Sequence, residues 1–280
     1  VKYSRVVAVL SGGGAKSAAH VGALKALEEW ELAPSQYVGT SMGAVIAACF
    51  ASGLDYDAIL KRIVGLTTRD VAVPAPGALL GPFGKALLRA APLADTITRL
   101  VPATSFEDLR SPLTVTATDA ETGALQLFGD GGRMDVPLHH ALYASCALPM
   151  YYRPAEIDGR CYVDGGLRAV LPLHVAARRH PDLVYAVYAG PSLRERSPLR
   201  PERLRVLGAH DNAVRILMAA QAEAEVRHWD GRVPLVLVRP AVDARATFAV
   251  KHAMRHVEEG YRAGVEALEA WKAGGRAIAD

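Results

Sequence analysis

Cysteine is scarce in this 280-residue chain, and Cys49, Cys146 and Cys161 are an odd number at spacings that match no metal-binding pattern. Neither a disulfide framework nor a zinc site is indicated, so buried reduced thiols are expected. Aromatic residues are also few, at 6%. A surplus of one charge is missing too, since 32 Lys and Arg against 29 Asp and Glu leave a formal net charge of +3. With so small an imbalance and no DNA- or RNA-reading motif, nucleic acid is set aside as a partner. The longest apolar run, Met42 to Ala51, falls well short of the ~20 residues a membrane-spanning helix needs. A cytoplasmic or peripheral-membrane setting is the expectation, with export left open because the chain begins at Val1.

What the chain does have is 51% hydrophobic content, enough for a sizeable core in one domain over 1–280. Its first third alternates apolar runs and helical stripes: a strand at 6–10, a helix at 15–29, a short strand near Tyr37 and a helix from Met42 to Gly53. Such alternation predicts an α/β fold, a mostly parallel central sheet sandwiched by helices. Residues 71–104 interrupt it with a stretch rich in Ala, Pro, Gly and Leu, which reads as a helical cap insertion. Beyond it, "PLTVTATDAETGALQLFGDGG" reads as two strands joined at Glu121 to Gly123, and "AEIDGRCYVDGG" as a hairpin turning at Asp158-Gly159. "LVYAVYAG" and "PLVLVRP" are further buried strands, and residues 211–228 and 252–273 carry helical stripes.

The first strand runs into "SGGGAKSAAH", which places Gly12, Gly13 and Gly14 on a strand-to-helix turn. A dinucleotide fingerprint would need a third glycine where Ser17 stands, and a P-loop would need glycine at Ala15, so both nucleotide readings fail by one residue. Backbone N–H groups at the positive end of a helix can instead stabilise a developing negative charge. That use calls for a nucleophile nearby. "GTSMG", residues 39–43, is a GxSxG between a short strand and a helix, where a serine sits on a sharp turn with its hydroxyl exposed. A structural role is the competing reading, with Gly39 and Gly43 permitting a tight turn and Ser41 capping the helix. A serine needs a base, and a conventional triad would draw on His252 or His256 late in the chain. Both fall on or beside the C-terminal helical stripe, which favours packing or surface roles.

"GGGAK", "GTSMG", "ASCALP" (Ala144 to Pro149) and "DGG" (Asp164 to Gly166) occur in the order and approximate spacing of the patatin-like phospholipases. Over roughly residues 5–190 the chain resembles that family of lipid acyl hydrolases. The resemblance implies a three-layer α/β/α fold and a Ser-Asp dyad, with Ser41 as nucleophile and Asp164 as general base. It also implies an oxyanion hole from Gly12, Gly13 and Gly14 aided by the N–H of Met42, with Gly39, Gly43, Gly165 and Gly166 in supporting positions. No metal or organic cofactor is implied, and calcium independence is expected. Lys16 is expected to support the glycine loop or a lipid phosphate, since a cation in a helix's first turn opposes the dipole. Family members usually carry glycine at the position of Ser17, so the first helix is expected to start differently here.

Asp130-Gly131-Gly132 is a second DGG. Asp164 is preferred because it closes a short hairpin and precedes "LRAVLPL", as in the family, while Asp130 and Asp158 read as turn aspartates. In "ASCALP" Ser145 is expected to cap or hydrogen-bond near the active-site loop, and Pro149 to stop the helix. The expected substrate is a lipid or another acyl ester, met by peripheral membrane contact, with Leu79, Leu80, Phe83, Leu87 and Leu88 beside Lys85, Arg89 and Arg99 as candidates for that contact. The basic stretch at 194–205 reads as a solvated surface loop. A soluble ester or thioester substrate, or a silent lipid-binding module, are the alternatives.

Overall fold

The computed structural model describes residues 3–76, 86–193, 205–242 and 247–274. Its strands are β1 (Val6–Leu10), β2 (Gln36–Thr40), β3 (Leu113–Asp119), β4 (Leu125–Gly129), β5 (Ala155–Ile157), β6 (Arg160–Asp164), β7 (Leu183–Val187) and β8 (Leu235–Val238). They form one sheet in the order β5-β6-β3-β2-β1-β7-β8, with β4 paired to β3. The five strands from β3 to β8 across that order are mutually parallel; β4 and β6 run antiparallel to β3, and β5 antiparallel to β6. β1, β3, β7 and β8 are buried at every residue, because a parallel sheet covered on both faces selects continuous apolar runs.

The helices are α1 (Ala19–Glu29), α2 (Met42–Ala51), α3 (Tyr56–Val64), α4 (Thr68–Val71), α5 (Ala90–Leu100), α6 (Leu138–Cys146), α7 (Gly166–Ala169), α8 (Leu173–Ala177), α9 (Arg205–Arg227) and α10 (Ala253–Lys272). Alternation along β1 separates two cores. Val6, Ala8 and Leu10 pack with α1, α2, α5, α6 and α10, while Val7 and Val9 pack with Val170, Leu171, Leu173 and the α9 residues Ala222 and Val226. Three layers result, as expected. Local signals agree with the ends: Asp55 caps α3 by accepting the Ala58 N–H at 2.8 Å, and Thr67 with Asp70 forms a capping box on α4.

Two expectations shift in detail. The first helix begins not at Ala15 but through a 3-10 turn over Gly14–Ala18, because the Ala15 N–H is drawn out to the Thr247 carbonyl at 2.8 Å. Within 71–104, α5 is core, with Leu93, Ile97 and Leu100 buried, so only the segment before it has the character of an insertion. There, residues 73–75 and 87–89 hydrogen-bond to each other, and Leu87 and Leu88 donate to the carbonyls of Met150 and Tyr151 at 2.8 Å each. Leu79, Leu80, Phe83 and Lys85 lie outside the described residues, as does nearly all of the basic stretch at 194–205.

Register explains how the sheet assembles a site. β2 pairs with β3 through Tyr37–Leu113 to Thr40–Thr116, whereas β6 pairs through Asp164–Ala117 to Tyr162–Asp119. β4 pairs with residues 114–118 of β3, so β2 and β6 must share the opposite edge, one after the other. Running in opposed directions, they end facing each other at Thr116 and Ala117. The residue after β2 is Ser41; the last residue of β6 is Asp164.

Candidate active site

Ser41 sits on the turn between β2 and α2 with φ 53° and ψ −136°, a left-handed backbone that costs a non-glycine residue roughly 1–3 kcal/mol. The turn needs both of its glycines. A Cβ on Gly39 would lie 2.5 Å from the Ala44 Cα, and one on Gly43 would lie 2.2 Å from the Ser11 carbonyl oxygen. Thr40 anchors the strand end, its Oγ1 donating to the Ala169 carbonyl at 2.7 Å and lying 2.7 Å from Thr116 Oγ1. The strained turn thereby presents its hydroxyl outward from the sheet at the N-terminus of the ten-residue α2.

That hydroxyl donates to Asp164 Oδ2 at 2.8 Å. The other carboxylate oxygen accepts the Gly166 N–H at 2.7 Å. Burial, only partly offset by these two donors, pushes the Asp164 pKa up to about 6. At pH 7 the carboxylate still prevails, by about ten to one. A base that is ionised at neutral pH and lies within hydrogen-bond reach of a serine hydroxyl can accept its proton.

The glycine loop faces the same space. Gly12 lies close, its would-be Cβ 3.4 Å from that of Ser41, yet its N–H is committed to the Val170 carbonyl at 3.0 Å. Gly12 therefore has no free donor, contrary to its expected place in the anion-binding set. Among the described residues no acceptor faces the N–H of Gly13, Gly14 or Met42. Gly13 and Gly14 are also crowded from behind, where a Cβ would meet the Ala189 carbonyl at 2.7 Å and the Thr247 carbonyl at 2.4 Å.

The remaining candidates are placed plainly. Lys16 is buried and lines the same cavity. Gly165 packs on Thr116, and Gly166 opens α7. Ser17 is buried with its Oγ unpartnered among the described residues. His256 is buried on α10 against Ala15, and burial lowers its pKa; neither it nor His252 lines the cavity. Asp130 closes β4 elsewhere, bonded to Gln36 and 3.4 Å from Arg179. Cys49 and Cys146 are buried thiols, and burial pushes both up, Cys49 to about 12.

A cavity of about 940 Å³ opens over Ser41 and Asp164. Ile46, Ile63, Leu66, Val71, Leu93 and Leu100 line it from the α2–α5 side, and Leu148, Tyr151, Tyr152 and Phe248 close over it. α9 supplies a polar stretch, His210 to Asn212 and Arg215, with Asp211 accepting the Tyr151 hydroxyl at 2.6 Å. Sequence reading missed Tyr151, Asp211, Thr247 and Phe248. No motif marks them, and they reach the site from segments far apart in the chain.

The patatin-like phospholipase profile matches residues 8–177, more than half of the chain and including both Ser41 and Asp164. The chain belongs to the patatin-like phospholipase family. An uncharacterized NTE family protein of Mycobacterium tuberculosis is 35% identical over 185 residues, 65% of this chain and 48% of its own length. Human patatin-like phospholipase domain-containing protein 6 is 28% identical over 187 residues, 66% of this chain but 13% of that protein. This patatin-like chain thus spans about half the length of its mycobacterial relative or less. Among solved structures, VipD from Legionella pneumophila superposes with a TM-score of 0.48 and 14% identity, covering 96% of this chain and 67% of VipD. β7, α9, β8 and α10 lie beyond the family match, and with them the polar stretch of the cavity.

Proposed function

We propose that the chain hydrolyses fatty acyl esters of lipids, as a phospholipase A or lysophospholipase, through an acyl-enzyme. The observation that carries this reading is the 2.8 Å bond from Ser41 Oγ to Asp164 at the floor of an apolar cavity. Ser41 Oγ attacks the ester carbonyl carbon while Asp164 takes its proton. The N–H groups of Gly13 and Gly14, with that of Met42 at the positive end of α2, hold the tetrahedral oxyanion. Collapse breaks the bond to the alcohol, which leaves with the proton from Asp164, and the acyl group stays on Ser41. Asp164 then deprotonates a water that attacks the acyl ester, releasing the fatty acid and restoring the hydroxyl.

A lipid substrate is favoured over a soluble ester by the cavity's size and its mainly aliphatic and aromatic wall. Exposed Ile216 and Leu217 stand between the cavity residues Arg215 and Met218 on α9, which supports contact with a lipid surface at that rim. Fluorophosphonate labelling read by peptide mapping tests the chemistry. Label on Ser41, lost in Ser41→Ala, together with release of fatty acid from micellar phospholipid is the expected result. Label elsewhere, or turnover confined to short soluble esters, would overturn it.

A further inference from the structure

The C-terminal turn of α6 touches both arms of the Ser41–Asp164 pair. Ser145, wholly buried, accepts the Ser41 N–H on its Oγ at 2.7 Å. Its own carbonyl accepts the Gly165 N–H at 3.3 Å, and the Ala147 carbonyl accepts the Asp164 N–H at 3.1 Å. The Ser41 amide lies past the end of β2 and ahead of the first turn of α2, so neither element supplies it an acceptor. A buried N–H left unpaired costs about 1–3 kcal/mol. Strain at a residue with the Ser41 backbone is of the same order, roughly 1–3 kcal/mol. This one bond is therefore large enough to decide whether the turn keeps its shape.

We propose that Ser145 is a positioning residue for the hydrolysis: by accepting the Ser41 amide, its hydroxyl oxygen keeps the Ser41 hydroxyl on the Asp164 carboxylate. The inference rests on the roles given above to Ser41 and Asp164. Ser145 itself does not line the cavity and acts through Ser41. The side-chain oxygen and the main-chain carbonyl bind opposite arms of the pair, so α6 sets the gap between two strands that meet only end to end. Once the Ser145 oxygen is gone, the turn is free to relax its left-handed backbone and carry the Ser41 hydroxyl away. The carboxylate then keeps only the Gly166 N–H, and its affinity for a proton rises. The Cys146 thiol interacts with both Ser41 and Asp164, and burial holds it protonated; Lys16 lines the same cavity.

The test follows the Asp164 carboxyl by carbon NMR titration in the wild type, Ser41→Ala, Ser145→Ala, Ser145→Thr and the Ser41→Ala/Ser145→Ala double variant, alongside kcat, KM and melting temperature. Ser145→Ala should move the Asp164 midpoint upward, in the direction Ser41→Ala moves it, and add nothing in the double variant. It should lower kcat and the labelling rate about tenfold to a hundredfold, with KM little changed. Ser145→Thr, which keeps the oxygen, should recover most of both. A wild-type midpoint and kcat in Ser145→Ala, or shifts that simply add in the double variant, would overturn the proposal. So would a Thr variant as impaired as the Ala variant at equal melting temperature. If Ser145→Ala does not fold, Ser145→Cys, with a weak acceptor of similar shape, replaces it. Absence of label and turnover in the wild type would remove the hydrolase reading, while the titration would still decide whether Ser145 holds Ser41 on Asp164.

Discussion

Asp130-Gly131-Gly132 and Asp164-Gly165-Gly166 are the same three residues at the end of a strand, and their surroundings are opposite. The Asp130 side chain is 44% exposed and lies beside the Arg179 guanidinium, with Gln36 donating to it. Asp164 is 4% exposed and, among the described residues, its carboxylate accepts from a serine hydroxyl and one N–H. One carboxylate sits in a half-exposed ion pair; burial raises the pKa of the other to about 6. The tripeptide supplies the turn, and the strand edge to which it is delivered supplies the chemistry.

Exchanging each carboxylate for an amide should give the largest contrast. Asp164→Asn is expected to lower Ser41 labelling by roughly 10²- to 10⁴-fold, the usual worth of a general base. Asp130→Asn should label at the wild-type rate, and equal losses in the two variants would erase the distinction. The glycines that follow should separate the two turns next. A Cβ on Gly165 would lie 2.4 Å from the Thr116 carbonyl oxygen, so the end of β6 must move. Gly165→Ala should cost about 1–3 kcal/mol and much of the activity. Gly131 has φ 68° and a Cβ there would lie 2.0 Å from the Arg179 guanidinium, which also holds the Asp130 carbonyl, so Gly131→Ala should cost about 1–3 kcal/mol yet leave the rate alone. Denaturant melts paired with labelling rates would measure both.

The pH dependence sharpens the comparison further. Asp164 must be ionised to accept a proton, so the rate should rise with pH through about 6 and fall tenfold per unit below it. Stability should run the other way. A carboxyl whose folded pKa is raised from 3.8 to about 6 favours the fold fully below pH 3.8, and that contribution fades as pH climbs through 6. Asp164→Asn should therefore be more stable than wild type by up to about 3 kcal/mol above pH 7, with the gain vanishing near pH 3.5. A gain that persists at low pH would point to packing instead. The smallest effect belongs to Asp130→Asn, which removes a partly exposed ion pair with Arg179 and should cost about 0–1 kcal/mol, less in high salt.

Much of this arrangement is written in short stretches. The Val6–Leu10 run followed by glycines, the Gly39–Gly43 turn and the Asp158-Gly159 hairpin each carry their own periodicity or turn chemistry, and each forms where expected. Two features did not follow from local pattern. The Gly12 N–H is taken by Val170, a residue 158 positions away, so among the described residues the amides left open beside Ser41 are those of Gly13, Gly14 and Met42. α5 shares an Ala- and Leu-rich composition with the insertion before it, yet its Leu93, Ile97 and Leu100 face the core at helical spacing.

The sequence by itself determined the α/β alternation, the left-handed serine turn and the candidate residues, because strand and helix periods and glycine sterics act between near neighbours. The tertiary structure brought to Ser41 the Asp-Gly-Gly that the sequence favoured, and it alone decided which glycine amides remain open and that Ser145 ties the two arms together. Those outcomes depend on β2 and β6 meeting end to end on one edge of β3, and on burial by α6, α9 and the 247–250 segment. Pairing and desolvation of that kind arise between residues that the chain keeps far apart until it folds.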